Sequence, residues 1–244
     1  MAKFRIGQRV YAPIFQYPGG NQLPYALARG TVCSISSRSC QVDLPYGIGL
    51  QKIASSLLHA DVGVCIVRIG DFTSELTAMD PICKSILNFL RLLLPDDQVR
   101  LVELRTESEL EQFFQLYASA YTLWIVVGHG TEGGELLFTG SNKAASSALA
   151  AKLVSHASAP KTFLFLSCHA GKAAFAKAFS SVRALCNILI APTGALHSAI
   201  ASQFAQTFLS YLFLEGRQVG VAFNKATERT PTSTRFRLWR NGSF

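Results

Sequence analysis

Two short motifs in this sequence carry side chains that together can perform nucleophilic chemistry. Gly128, His129 and Gly130 follow one apolar stretch, and Cys168 follows another. A thiol needs a base to become a thiolate near neutral pH, and a neighbouring imidazole serves as that base. The glycines let the backbone approach a substrate, and the N–H groups of Gly130 and Cys168 are candidates for an oxyanion hole. The motifs therefore indicate a Cys–His dyad that attacks a carbonyl group.

The elements that must position the dyad alternate between strands and helices from residue 61 onward. Apolar stretches typical of buried strands lie at 62–69, 99–104, 122–127, 162–166 and 187–191. Helical segments lie between or after them, at 81–94, from 106, at 144–156, 172–179 and 197–214. This alternation predicts an α/β domain with a mostly parallel sheet and helices on both faces. If consecutive strands are neighbours, His129 and Cys168 emerge at the carboxyl edge of that sheet, where such folds place their sites.

Two of the predicted helices carry a start signal. Asp80 precedes Pro81 and is a candidate N-cap, since proline favours the first turn of a helix. Thr106 and Glu109 have the spacing of a capping box, in which each side chain accepts from the backbone N–H group of the other residue. We therefore expect helices to begin at both positions.

The first 58 residues show a different spacing of apolar and polar residues. Alternating apolar and polar residues, with Gly- and Pro-rich turns at 17–21 and 45–47, predict short strands at 8–13, 28–35, 40–44 and 51–53. The pattern indicates a small antiparallel barrel and resembles the SH3-like barrels of the Tudor and KOW type. Such barrels bind peptides or nucleic acid, or dock on a neighbouring domain. We therefore divide the chain into an all-β barrel at 1–58 and an α/β domain at 61–244.

Composition argues against several other classes of protein. The chain has 244 residues, of which 49% are hydrophobic and 16% charged, enough to bury a core without disulfides or metals. The longest apolar stretches fall short of the roughly 20 residues of a membrane-spanning helix. The amino-terminal residues lack the apolar core of a signal peptide. We therefore expect no membrane span and a cytoplasmic location.

The six cysteines give no sign of a cofactor. They are too sparse for a disulfide framework, and Cys33 and Cys40 lack the CxxC spacing or histidine partners of a zinc site. Cys65 and Cys186 lie in apolar stretches and are expected to be core residues. We therefore predict reduced thiols, no metal and no cofactor.

The formal net charge of +8 is concentrated at the two ends of the chain. Residues 1–60 carry six Lys and Arg against one Asp, and residues 225–244 carry five against one Glu. This asymmetry permits contact with nucleic acid or an acidic protein, although a solvated surface explains it as well. Candidate docking surfaces are the basic barrel and the arginines of the tail, which are Arg229, Arg235, Arg237 and Arg240.

The two motifs resemble those of the caspase-like (clan CD) cysteine peptidases, and in particular those of the CHAT domain. The resemblance is carried by Gly128-His129-Gly130 and by the six residues from Leu166 to Gly171. Later segments resemble the hairpin, strand, helices and last strand of these domains, at 134–138, 188–193, 204–208, 216–222 and 236–242. Ser167 precedes the cysteine where the caspase motif has alanine, so the caspase preference for Asp is not carried over.

The resemblance implies a reaction and a biological setting. His129 would be the general base and acid, and Cys168 the nucleophile, in hydrolysis of a peptide bond through an acyl-enzyme. Domains of this kind act in regulated proteolysis, including bacterial defence and cell death, after a partner or a cleavage event activates them. The substrate would be a protein, either a gasdermin-like pore former or another guarded protein, and an activating protein would dock on the barrel.

Substrate binding is assigned to two residues. Ser167 adjoins the nucleophile, and Asp71 follows the first strand of the α/β domain, where these folds can contribute to the pocket for the residue before the cleaved bond. An acidic pocket would favour Arg or Lys in the substrate. A role for Asp71 as a turn or cap residue is an equal alternative. His169 adjoins Cys168 and is expected to point away from it, so we do not assign it as the base.

Two functions of other classes stay open. A catalytically silent caspase-like module would act as a binding or scaffold protein, although the presence of both dyad residues argues against it. A nucleic-acid-binding signalling protein would use the basic barrel, but no GxGxxG or GxxxxGKS/T loop follows the first strand of the α/β domain. A serine hydrolase is weaker still, because the GxSxG motif is absent.

Overall fold

The chain folds into an antiparallel sheet followed by an α/β domain. A computed structural model describes residues 4–14, 26–44, 47–60, 63–71, 79–157, 159–231 and 235–244. The predicted turn at 17–21 and most of the turn at 45–47 lie outside the described residues.

The amino-terminal residues form a five-stranded antiparallel sheet. Its strands are β1 Arg9–Ile14, β2 Ala26–Ile35, β3 Ser39–Leu44, β4 Gly49–Ala54 and β5 His59–Ala60, in the order β4-β3-β2-β1-β5. Along β3 buried and exposed side chains alternate, because one face of the sheet covers a small core that includes Val10, Val32 and Leu58. The antiparallel sheet is the one that the alternating pattern predicts, and its membership of the SH3-like family stays a prediction.

The α/β domain is built on a six-stranded sheet, which confirms the predicted fold class. Its strands are β6 Val64–Ile69, β7 Val99–Leu104, β8 Leu123–Val127, β11 Lys161–Leu166, β12 Cys186–Pro192 and β13 Phe236–Trp239. A two-stranded hairpin of β9 Leu136–Leu137 and β10 Lys143–Ala144 follows β8. The order in the large sheet is β13-β12-β11-β8-β6-β7, and all strands are parallel except β13.

Helices cover both faces of the large sheet. In the described residues they are α1 Met79–Arg91, α2 Glu107–Tyr117, α3 Ser146–Val154, α4 Ala173–Ser181, α5 Ser198–Leu209 and α6 Val219–Glu228. Helices α1, α5 and α6 share one hydrophobic core with the sheet, and α2, α3 and α4 share the other. Every residue of β6 and β8 is buried, because each of these central strands has helices on both sides. None of these helices is long and apolar enough to cross a membrane.

The two predicted helix starts differ in outcome. Thr106 and Glu109 form the capping box: the Thr106 hydroxyl accepts from the Glu109 N–H at 3.1 Å, and the Glu109 carboxylate accepts from the Thr106 N–H at 3.3 Å. The prediction that Asp80 is an N-cap is wrong, because Asp80 lies inside the first turn of α1. Its carboxylate instead contacts Lys84 at 2.7 Å and the buried Arg68 of β6 at 3.5 Å.

The antiparallel sheet docks on the α/β domain at the amino edge of the parallel strands. Tyr11 of β1 is buried in the same core as α1. The Arg29 guanidinium contacts Asp97, just before β7 begins, at 3.3 Å. Gly216, beyond the end of α5, lies directly beside Leu57. Since β7 begins and α5 ends on this side, the small sheet lies opposite the carboxyl edge.

We predict that Thr106→Ala lowers the free energy of unfolding by about 1 kcal/mol, because the Glu109 N–H in the first turn of α2 loses its acceptor, the Thr106 hydroxyl. Urea unfolding followed by circular dichroism measures the change. Ser108→Ala, at an exposed position in the same first turn, is the matched control and is expected to change the free energy by less than about 0.5 kcal/mol. Equal values for the two variants would contradict a stabilising capping box.

Candidate active site

The two motifs that contain His129 and Cys168 meet at the carboxyl edge of the parallel sheet. Strands β8 and β11 are neighbours, which is the condition under which the sequence brings the two motifs together, and Val127 pairs with Leu166 in their register. His129 and Cys168 each lie two residues beyond this pair. Both residues therefore leave the sheet at the same level and on the same edge, which is where α/β sheets form their sites.

The loops that carry the two residues are in contact through backbone atoms. A Cβ atom on Gly130 would overlap the carbonyl group of Cys168, and a Cβ atom on Gly128 would come within 3.2 Å of the Ile69 carbonyl oxygen. Glycine permits this approach because it has no side chain. The glycines on either side of His129 therefore permit the close approach of neighbouring strand ends.

A tight turn follows Cys168. His169 has a φ of +62°, and its N–H donates to the Gly194 carbonyl at 3.0 Å. The Gly171 N–H donates to the carbonyl of Pro192, the last residue of β12, at 2.7 Å. A positive φ is costly for a residue other than glycine, so the surrounding bonds must hold it in place. The turn thus fixes the Cys168 loop to the end of β12.

Cys168 and His129 line one cavity of about 210 Å³. The imidazole of His197 is also part of its wall. The other lining residues come from α1, the strand ends and the start of α5, and they are Met79, Ile82, Val127, Gly128, Leu166, Leu196, Ser198 and Ala201. His169 is not among the lining residues, in agreement with the expectation that it is not the base.

Sequence analysis did not place His197 at the site. His197 directly precedes α5, and its Nδ1 accepts from the Ala199 N–H at 3.2 Å, which caps the helix. With Nδ1 acting as an acceptor, the neutral ring carries its proton on Nε2. The sequence showed only a histidine at the start of a predicted helix. His197 lies near Cys168 because β12, which leads into the loop before α5, lies beside β11.

The sulfur of Cys168 accepts a hydrogen bond from the Leu196 N–H at 3.3 Å. An N–H group directed at sulfur favours negative charge on that atom. The Cys168 side chain is half-buried, so it combines contact with solvent and a fixed orientation.

The other cysteines have different surroundings. Burial raises the pKa of the Cys83 and Cys186 thiols to about 12 and also raises the pKa of Cys65. The prediction that Cys65 and Cys186 are core residues is confirmed, Cys40 is buried too, and Cys33 is exposed. No group of three His, Cys, Asp or Glu side chains in the described part of the chain is arranged to hold a metal ion.

The backbone N–H groups of Gly130 and Cys168 donate to no protein acceptor within the described residues. The pairing of the Gly130 loop with β9 runs through the residues on either side of Gly130. Two N–H groups that need an acceptor therefore lie in the contacting loops at Cys168. This arrangement fits donors for an oxyanion.

The two residues assigned to substrate binding lie outside the cavity wall. Asp71 is exposed and follows β6, whose Arg68 pairs with Val127 in the same register. Ser167 is 1% exposed, and its hydroxyl has no hydrogen-bond partner among the described residues. Their roles in binding substrate stay predictions.

Comparisons with known proteins give matches in structure. No family model matches the chain, and no curated protein matches it in sequence. The chain is similar to a secreted C11 cysteine protease from Bacteroides thetaiotaomicron, solved with an irreversible peptide inhibitor, at 12% identity and a TM-score of 0.49. It covers 57% of that protease, and 68% of this chain is matched. It is also similar to pro-sf-caspase-1, at 15% identity and a TM-score of 0.41, over 68% of this chain and 79% of the other.

We predict that Gly130→Ala moves the Cys168 loop, because the new methyl group would overlap the Cys168 carbonyl. The rate of iodoacetamide alkylation at Cys168 should fall at least roughly tenfold, and the free energy of unfolding should fall by about 1–3 kcal/mol. Mass spectrometry and urea unfolding measure the two effects. Gly133→Ala in the same loop is the control, since its Cβ atom would have no neighbour closer than 3.6 Å. Identical behaviour of the two variants would show that the close approach is not required.

Proposed function

We propose that this chain is a cysteine endopeptidase in which Cys168 is the nucleophile and His129 is the general base and acid. The observation that carries the proposal is that both side chains line one cavity at the ends of two adjacent parallel strands. The sulfur also accepts an N–H group, and the other thiols of the α/β domain are buried. Cys168 is the half-exposed thiol at the carboxyl edge.

The first half of the reaction forms an acyl-enzyme. His129 takes the thiol proton, and the sulfur of Cys168 attacks the carbonyl carbon of the peptide bond, forming a C–S bond. The carbonyl oxygen becomes an oxyanion, to which the N–H groups of Gly130 and Cys168 donate. The C–N bond then breaks as His129 gives its proton to the leaving amine.

The second half restores the enzyme. A water molecule gives a proton to His129 and attacks the acyl carbon, and the same N–H groups bind the second oxyanion. The C–S bond breaks, the carboxylic acid leaves, and the proton on His129 returns to sulfur. One water is consumed for each peptide bond, and no external oxidant or reductant takes part.

The biological setting is proposed from the sequence resemblance. A CHAT-type peptidase would act on a protein in the cytoplasm during regulated proteolysis, such as bacterial defence or cell death. A gasdermin-like pore former is one candidate substrate, and another guarded protein is an equal one. The small antiparallel sheet would receive an activating protein, and its contacts at the amino edge of the large sheet mean that such a partner would act on the site from the opposite end.

We predict that iodoacetamide alkylates Cys168 faster than the exposed Cys33, because in the proposed mechanism His129 accepts the thiol proton, and the Leu196 N–H donates to the sulfur. Replacing His129 by Ala should remove most of this advantage. Cys83 and Cys186 should stay unmodified, since a pKa of about 12 leaves about one thiolate in a thousand at pH 9. Mass spectrometry of the native protein between pH 5 and pH 9 measures the rates.

Cys33 is the internal control for an exposed thiol outside the cavity. If Cys168 reacts no faster than Cys33 at any pH, the dyad is not activated and the chain is a catalytically silent binding module.

We also predict that Cys168→Ala and His129→Ala each lower peptide hydrolysis at least about a thousandfold, because either change removes a group that acts in bond formation. The measurement is kcat/KM on a fluorogenic peptide library. His156→Ala is the matched control, since this histidine faces Glu111 at 3.6 Å on the other side of the domain. Full activity in either dyad variant would refute the assigned roles.

A further inference from the structure

The composition of the active-site cavity bears on which substrate the proposed peptidase takes. Apart from the two imidazoles, Cys168 and two small residues, its wall is made of apolar side chains from three parts of the fold. Helix α1, the ends of β8 and β11, and the start of α5 supply them, as Met79, Ile82, Val127, Leu166, Leu196 and Ala201. A side chain that enters this cavity would therefore be surrounded mainly by carbon atoms.

Among the described residues, no carboxylate, lysine or arginine lines the cavity. Arg68 lies one strand away, level with Val127, but its guanidinium contacts Glu103 at 2.8 Å and Asp80 at 3.5 Å. Burying a charged group without an opposite charge is costly. A basic or acidic substrate side chain would lose its water here and gain no ionic partner.

The imidazoles of His129 and His197 do not change the expected preference for an uncharged substrate side chain. His129 is assigned to proton transfer in the reaction. The Nδ1 atom of His197 is engaged by the Ala199 N–H at the start of α5. His197 is left with one N–H donor, on Nε2, which can give a substrate side chain a single hydrogen bond.

The walls of the cavity are held by contacts between α1 and α5. The Ser85 and Ser202 hydroxyls are 2.8 Å apart, and the Gln206 amide donates to Ser85 at 2.6 Å. At its first turn α1 is also held to β6 by the contact of Asp80 with Arg68. These bonds fix the two helices that present the apolar side chains.

The size of the cavity limits what can enter. Its volume of about 210 Å³ is smaller than the roughly 300–1,000 Å³ typical of pockets for whole small-molecule ligands. One side chain of a longer peptide is a suitable occupant. Since Cys168 is part of the wall, that side chain belongs to a residue close to the carbonyl group under attack.

We propose that this cavity selects an uncharged apolar side chain of medium size, such as Leu, on the residue whose carbonyl carbon Cys168 attacks. The inference rests on the proposed peptidase function and names the substrate class of its site. It differs from the expectation that Asp71 selects Arg or Lys, because Asp71 is exposed and does not line the cavity.

The test uses the full chain and three peptidyl acyloxymethyl ketones that differ only in the last residue, which is Leu, Lys or Asp. The thiolate of Cys168 forms a C–S bond to the probe and displaces a carboxylate, so labelling does not require turnover. We expect the Leu probe to label Cys168 at least roughly tenfold faster than the Lys and Asp probes. Intact and peptide mass spectrometry give the rates and the site.

The outcomes separate this inference from the proposed function. Labelling that is equal for all three probes, or faster with Lys or Asp, overturns the apolar pocket and leaves the peptidase in place. If the preference is for Lys and Asp71→Asn removes it, Asp71 is the selecting residue. Reaction of Cys168 with iodoacetamide but with no peptidyl probe contradicts the peptidase, and the inference with it.

A charge placed in the cavity should reverse the preference. Leu196 is half-buried in a loop, and Leu196→Glu should raise labelling by the Lys probe, relative to the Leu probe, at least roughly tenfold. Leu116→Glu, at a 70% exposed position on α2, adds the same charge elsewhere and should change nothing. Leu196→Ala is a second variant that keeps the cavity apolar, and it should favour a Phe probe over the Leu probe. Unchanged preference in folded Leu196→Glu and Leu196→Ala would show that the probe does not enter this cavity.

Discussion

The pairing of Val127 with Leu166 is the constraint on which the rest of the site depends. Parallel hydrogen bonding between β8 and β11 fixes the relative height of the two strand ends. Because the side chains of a strand alternate between faces, a shift by one residue would turn the buried residues of one strand to the wrong core. Both cores contain side chains from every central strand, so the register is fixed by burial on two sides.

The close approach of the loops follows from that register. Two strands in the middle of a sheet lie about 4.8 Å apart, which leaves little room for side chains where their chains leave the sheet. Glycine at Gly128 and Gly130 fits this spacing, and the positive φ of His169 turns the chain sharply after Cys168. The local cost of that turn is met by backbone hydrogen bonds to the neighbouring β12 and its loop. Strand spacing therefore explains why the residues around the dyad are small or strained.

Burial also divides the cysteines into two groups. Cys65, Cys83 and Cys186 lie in the cores, where burial holds their thiols in the protonated form. Cys168 lies two residues beyond the end of β11, where the Leu196 N–H donates to its sulfur. The described strands of the small antiparallel sheet contact the amino edge of the large sheet, opposite the carboxyl edge. The exposure of each cysteine in the α/β domain thus depends on whether it lies within a core or beyond the end of a strand.

The sequence by itself determined the order of the elements, the capping box at Thr106 and the two strand ends that carry His129 and Cys168. These features depend on local pattern, because apolar period, glycine and cap residues act over a few positions. The tertiary structure decided that Asp80 pairs with Arg68 instead of capping α1, that His197 lines the cavity, and that Asp71 lies outside it. Those outcomes depend on which strands and helices are neighbours in space. Residues far apart in the chain, such as Met79 and Leu196, meet only when the sheet and its helices are packed, and no local pattern records that contact.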